Sequence, residues 1–114
     1  MGQNQDNFKR GTAEMLVLYL LQKEDLYGYQ ITQSFEEKSN GVYTMLEGSL
    51  YPILYKLVDA GHVSDYTVTV GKRRQRKYYH IEPSGIEYYK EILREYDSIT
   101  KSINLIMDRE QADE

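Results

Sequence analysis

Residues 47–61 read EGSLYPILYKLVDAG, and their spacing decides the architecture. Leu50, Ile53, Leu54 and Leu57 recur at three- and four-residue intervals, which on a helix makes one apolar stripe. The other side carries Gly48, Pro52, Tyr55 and Asp59, flanked by Ser49, Tyr51 and Lys56. A helix face turned only to water shows Glu, Lys and Gln. This one shows small, flat and hydroxyl-bearing groups that let another surface approach closely. Pro52 fits the first turn, where its missing donor is harmless, so the spacing predicts a helix from about Ser49 to the stop at Gly61.

Working outward, Thr12 is a suitable N-cap for the dense apolar segment 13–22, with Glu14 in the first turn where the helix dipole favours it. Residues 1–7 are polar and are expected to fray. Lys23–Leu26 reads as a short connection. Tyr27-Gly28-Tyr29 leads into a second helix, Gln30–Ser39, with Ile31 and Phe35 inward and Asn40-Gly41 at its end. On the other side, residues 62–70 are rich in β-branched side chains. Tyr66, Val68 and Val70 alternate with Asp65, Thr67 and Thr69, as in a half-buried strand with the apolar set inward. Gly71 marks a turn, the run 72–77 (KRRQRK) supplies five cations in six positions, and Tyr78–Ile81 alternates again. The pair reads as a hairpin with a basic tip.

Pro83 fits the first helical position, and a long helical pattern runs from Ile86 to Asp108. Ile92, Tyr96, Ile99, Ile103 and Ile106 step by four, three, four and three residues, the spacing of a helix–helix seam. Tyr89 and Leu93 are placed toward the core. Some 23 residues of helix reach roughly 35 Å, more than a domain of this size needs, so part of the seam is expected to pack on a second copy. The tail from Arg109 is polar.

Composition removes several function classes. The 114 residues include no cysteine and two histidines, His62 and His80, which leaves neither a disulfide framework nor a Cys/His zinc site. No Gly-rich phosphate loop, nucleophile elbow or cysteine nucleophile is present, and the pairs Glu36-Glu37 and Glu91/Glu95 lie on polar faces. Catalysis and a cofactor are therefore not expected. No charged-then-apolar leader and no membrane-length apolar run is found, so the expected location is the cytoplasm. The net charge of −4 hides an asymmetry: residues 1–81 sum to +1 and residues 82–114 to −5. For a polyanionic partner the local cluster at 72–77 matters more than the total.

The expected fold is mainly α with a small β-hairpin. Residues 1–81 form a winged helix-turn-helix DNA-binding domain, and residues 82–114 a C-terminal dimerisation helix with a polar tail. In such a domain the third helix enters the major groove and the hairpin tip lies along flanking phosphates. Four blocks carry a further resemblance: Arg10-Gly11-Thr12, Leu26-Tyr27-Gly28-Tyr29, Glu47-Gly48-Ser49-Leu50-Tyr51-Pro52, and Arg74/Arg76-Lys77-Tyr78-Tyr79. In order and spacing they resemble the PadR family of bacterial transcriptional regulators, in its short-tailed branch. The resemblance implies a homodimer that binds a palindromic operator on double-stranded DNA, mostly as a repressor, and releases it for a small-molecule effector or stress signal. It implies groove contacts from Ser49, Tyr51 and Pro52, and phosphate contacts from Tyr27, Lys56, Lys72, Arg73, Arg74 and Lys77. It implies a dimer interface through Ile92, Tyr96, Ile99, Ile103 and Ile106, with Tyr96 at the effector position. The rival reading is a winged-helix adaptor that binds protein, which has no need of five cations on its wing.

Overall fold

The structure is a computed structural model that describes residues 8, 9 and 11–109. The expectations for residues 1–7, for Arg10 and for the tail beyond Arg109 lie outside the described residues. The elements run α1 (Ala13–Leu21), β1 (Leu26–Tyr27), α2 (Gly28–Lys38), α3 (Glu47–Asp59), β2 (Val63–Val70), β3 (Arg74–Ile81) and α4 (Pro83–Ile106). Three helices, a hairpin and a long last helix give the winged helix-turn-helix order.

Helix α1 is buried on several sides, as its near-continuous apolarity demands: Ala13, Met15, Val17, Leu18, Leu20 and Leu21 are all inside. Thr12 stands at the N-cap position, but its hydroxyl does not cap the helix. It donates to the Lys9 carbonyl at 2.9 Å and shares a hydrogen bond with the Tyr43 hydroxyl at 2.8 Å, tying α1 to the link before α3. Helix α2 ends where Asn40 (φ 56°) and Gly41 (φ 83°) turn left-handed, the conformation glycine adopts without penalty.

Helix α3 begins at Glu47, two residues before the expected start. Leu46 is extended and its carbonyl accepts the Leu50 N–H at 3.2 Å, so the first bond is already closed there. Pro52 consequently sits in the second turn and deprives the Gly48 carbonyl of its helical donor. Gly48 is exposed, so that carbonyl is not buried unpaired. The inward stripe is as the spacing requires: Leu50, Leu54 and Leu57 are almost wholly inaccessible, and Ile53 is half-buried beside them.

The hairpin gains a third strand. Leu26–Tyr27, expected to be connection and helix lead-in, pairs antiparallel with β3 (Leu26↔Tyr79, Tyr27↔Tyr78), giving the order β1-β3-β2. Strands β2 and β3 pair without interruption from Val63↔Ile81 to Val70↔Arg74, so the turn is only Gly71-Lys72-Arg73. Continuous pairing fixes the faces. Val63, Tyr79, Ile81 and Leu26 are buried and define the core face. Tyr66, Val68 and Val70 have the opposite parity to Val63. The apolar set expected to point inward therefore lies on the outer face, where Tyr66 is 43% exposed.

Helix α4 roots itself through Ile86, Tyr88, Tyr89 and Ile92 on the core, while Leu93 is half-buried. At 24 residues it is about 36 Å long. The isoleucines of its outer half are exposed: Ile99 is 60% exposed and Ile106 80%.

Candidate nucleic-acid interface

The face of α3 opposite the Leu50–Leu54–Leu57 stripe presents Ser49, Pro52, Tyr55 and Lys56, all exposed. Tyr51 is different. Its ring stacks on Tyr55 (centroids 6.1 Å, 26° between planes), and its hydroxyl lies against Gly28 at the start of α2 and beside the Glu47 carboxylate. A β-carbon at residue 28 would stand 2.8 Å from that hydroxyl oxygen, so Gly28 is the space into which Tyr51 fits. Burial, and after it the Glu47 charge and hydrogen bond, raise the Tyr51 hydroxyl above its ordinary 10.0. Tyr51 stays protonated and is partly committed to the α2–α3 contact. Lys56 is exposed, with its ammonium 3.7 Å from Glu14 on α1. Glu14 also accepts from the Tyr88 hydroxyl of α4 at 2.8 Å.

The wing divides its five cations three ways. Lys72 and Arg73 form the turn and Arg74 opens β3; all three are exposed and have no carboxylate partner among the described residues. Lys77 lies on the core-side parity, 3.9 Å from Asp65 on the paired strand. Arg76 lies on the outer face, its guanidinium carbon 4.2 Å from the centre of the Tyr27 ring. Tyr27 sits edge-on to Tyr78 (5.3 Å, 72°), and Tyr78 stacks on Tyr66 (5.7 Å, 13°). Asp25 closes the far end. One of its oxygens accepts from the Tyr66 hydroxyl at 2.7 Å and the other lies 2.8 Å from His80 Nδ1. The loop ahead of β1 is thereby fastened to both wing strands.

At the other end of the molecule Tyr96 borders a surface cavity of about 350 Å³ shared with Phe8, Met15, Val42 and Tyr43. Of the residues expected in the seam, Ile92 is turned partly into the core, whereas Tyr96, Ile99, Ile103 and Ile106 are exposed.

Known proteins agree with this geometry. The profile of the transcriptional regulator PadR-like family matches residues 17–91, which spans α1 to the first third of α4. The chain belongs to that family. PadR-like proteins are transcriptional regulators rather than enzymes, in line with the lack of a catalytic constellation in the sequence. The chain is 30% identical to the negative transcriptional regulator PadR of Bacillus subtilis over 87 residues, covering 76% of this chain and 48% of that one. A transcriptional regulator from Clostridium thermocellum has a similar structure (TM-score 0.81, 34% identity, 86% of this chain and 95% of that one). So does B. subtilis PadR in complex with operator DNA (TM-score 0.65, 31% identity, 70% of this chain and 45% of that one).

Sequence reasoning counted Arg76 in the basic run and quoted it with Tyr78 in a family block without giving either a contact, and it missed Tyr66, Asp25 and His80 as members of this region. One signal was available for some of them. Arg76, Tyr78 and His80 recur at two-residue intervals, which places them on one strand face. Nothing local announces that Tyr27 and Asp25, some 50 residues earlier, lie against that face.

Proposed function

We propose that the protein is a homodimeric repressor that reads a two-fold symmetric operator through α3 and grips the flanking backbone with its wing. The observation that carries this reading is the trio Lys72, Arg73 and Arg74: exposed cations at the tip of a hairpin, without carboxylate partners among the described residues. A tip built for solubility alone would intersperse acids, and an adaptor for protein would not concentrate cations there. Phosphate contact calls for such a cluster. Support for operator binding comes from the B. subtilis PadR complex with operator DNA, and support for repression from the designation of that relative as a negative regulator.

In this reading Ser49, Tyr55 and the ring edge of Tyr51 meet the groove, Pro52 permits close approach, and Tyr27, Lys56 and Lys77 border the backbone. The exposed isoleucines of α4 pair with a second copy, which sets the distance between the two reading helices. Tyr96 and the cavity beside it lie where α4 meets α1, so a small molecule lodged there alters that distance and lowers operator affinity. The site of action is the cytoplasm, where the operator is.

Selection of bound duplexes from a random DNA pool tests the reading, and a two-fold symmetric motif is the expected outcome. On the selected duplex, replacing Lys72, Arg73 and Arg74 together by Gln lowers the slope of log affinity against log salt by up to ~2.7, at ~0.9 per lost phosphate contact. An unchanged slope, or no enrichment of any duplex, defeats it.

A further inference from the structure

A protein tells bases apart by hydrogen bonds and apolar contacts along the floor of a groove. The most discriminating of those bonds come in pairs, from Arg to guanine and from Asn or Gln to adenine. Helix α3, EGSLYPILYKLVD, contains none of these three residues. Its one cation, Lys56, is drawn aside to 3.7 Å from Glu14 on α1. Its acids are placed no better. Asp59 stands at the far end, away from the first turns that meet base edges in such helices, and Glu47 is engaged by Tyr51. The Tyr51 hydroxyl itself is turned away, against Gly28 at the start of α2. What polarity remains is the Gly48 carbonyl and the hydroxyls of Ser49 and Tyr55. Each makes one bond to a base edge, and none makes the two-point fork.

The helix offers apolar surface at close range instead. Gly48, Pro52 and Tyr55 recur at four and three residues, so they form one line along the exposed side. The Tyr55 ring is 58% exposed and has no hydrogen-bond partner among the described residues. It is stacked on the Tyr51 ring (6.1 Å, 26°), which is seated on α2, so it is supported from behind. Gly48 leaves the backbone bare at the head of this line, and nothing lies within 4 Å of where its β-carbon would be. A rigid ring, a proline and a gap suit a small apolar group. The major groove contains one such group, the 5-methyl of thymine, which is also what marks a T·A pair there.

We propose that α3 identifies thymine by its 5-methyl group, with Tyr55 and Pro52 as the specificity-determining residues and Gly48 as the gap through which the helix comes close. The ligand is a T·A pair in each half-site of double-stranded DNA. The assignment rests on the operator-binding reading and adds to it which base is read and by what chemistry.

The test uses the full chain at fixed salt on the duplex recovered by selection. Each thymine is replaced in turn by deoxyuridine, which deletes one methyl and keeps every hydrogen-bonding edge. At one thymine of the half-site the affinity is expected to fall about fourfold, and about 16-fold when both half-sites are changed, as loss of one buried methyl group per site predicts. A C·G pair at that position binds weakly, and 5-methylcytosine there recovers about fourfold because it returns the methyl alone. Replacing the guanines of the half-site by 7-deazaguanine changes affinity by less than about twofold, since no fork to the guanine edge is lost. Tyr55→Phe keeps the ratio of thymine to uracil affinity, and Tyr55→Ala brings it toward one. Gly48→Ala separates binding from folding. Its added methyl has open space within the protein and alanine is the better helix former, so its Tm equals or exceeds that of wild type. Its affinity for the selected duplex falls by about fivefold or more, because the methyl stands in the contact. A thermal melt identifies any variant that fails to fold, and the base replacements, which use the wild-type chain, carry the test in that case.

Deoxyuridine that binds as well as thymine at every position overturns the assignment. So does a loss with 7-deazaguanine that disappears in Lys56→Met, which marks guanine readout by that lysine. An unaltered thymine-to-uracil ratio in Tyr55→Ala overturns the role of that ring, and wild-type affinity in Gly48→Ala overturns the close approach. In each of these cases a duplex is still selected and operator binding stands. If selection enriches no duplex, the operator reading falls and this inference falls with it.

Discussion

Gly85, the third residue of α4, is where two familiar effects of a glycine substitution oppose each other. Replacing a helical Gly by Ala gains about 1 kcal/mol of intrinsic helix stability, and from sequence alone Gly85 looks like a weak point. In the structure a β-carbon there would overlap the backbone carbonyl oxygen of His62 and stand 2.8 Å from Ile81 Cγ1. That carbonyl cannot simply retreat. It accepts the Glu82 N–H at 3.0 Å, and Ser84 binds the Gly61 carbonyl at 3.1 Å and His62 Nδ1 at 3.0 Å. Relief requires the helix start to withdraw by roughly 1 Å, toward the ordinary contact distance of 3.5–4.0 Å. Overpacking of this kind costs about 1–3 kcal/mol, and the upper end applies when the obstacle is backbone. Straining the Glu82 hydrogen bond adds about 1 kcal/mol. Packing therefore wins: Gly85→Ala is expected to be destabilised by about 2–3 kcal/mol net, which for a domain near 100 residues lowers Tm by about 10 °C. Calorimetry at fixed protein concentration reads this directly. Because α4 would leave the body at a new angle, the spacing of half-sites recovered by duplex selection should also change. A Tm equal to or above wild type would refute the reasoning, since helix propensity would then have prevailed.

The same geometry yields three further expected outcomes. Tyr79 is 1% exposed and its buried hydroxyl has no partner among the described residues, so burial pushes it up to about 12; Tyr79→Phe should stabilise the protein by about 1 kcal/mol in urea titration, and a loss of that size would reveal a hydrogen bond. The Asp25 carboxyl is held below its ordinary 3.8, chiefly by the Tyr66 hydroxyl and then by His80, and the Asp25 hydrogen bond raises His80 above its ordinary 6.5. The His80 share of stability is present in full below 6.5 and fades as pH rises through its folded value, while the Asp25 share is present above 3.8 and fades as pH falls through its own. Asp25→Asn should therefore cost most between those two values, by no more than ~1 kcal/mol because both groups are partly exposed; a flat difference from pH 4 to 8 would exclude the ion pair. Ile99→Asp with Ile103→Asp should shift the chain toward monomer in sedimentation and weaken operator binding, whereas a variant that remains dimeric would place the interface elsewhere.

How much of this could be read in advance depends on the length of each signal. The stripe of α3 and the pattern of α4 repeat over several turns, and both helices are where periodicity puts them. The glycine stops at 41 and 61 have φ of 83°, as left-handed helix ends require. Reading Pro52 as a first-turn marker puts the start of α3 too late, because an extended Leu46 and an exposed Gly48 let the proline sit a turn deeper. Strand β1 has two residues and therefore no period to detect. The face of β2 comes out inverted for a subtler reason. Tyrosine and valine mark a strand but not the side that the helices cover, and one buried residue, Val63, settles the parity. The contact of Arg76 with Tyr27 lies beyond any local pattern, because it joins residues 49 apart through the register of β1 on β3.

The charge asymmetry between the two parts of the chain acquires a direction from the fold. The surplus of acid begins at Glu82, and residues 82–114 carry a balance of −5, of which α4 itself, with four acids and three bases, contributes −1, while the tip of the wing carries three cations without carboxylate partners among the described residues. Near a duplex the wing is drawn to the phosphates, whereas α4, close to neutral, is repelled little. Glu91 and Glu95, four residues apart on α4, are like charges on one face and weaken that helix slightly. In the proposed dimer the apolar run of Tyr96, Ile99 and Ile103 supplies the contact between the two copies. Added salt therefore acts chiefly on the contact of the wing with a polyanion, which it weakens. A net charge of −4 is no obstacle to a polyanionic partner when the cations cluster at 72–77 and the surplus of acid lies mainly outside α4, at Glu82 and in residues 108–114.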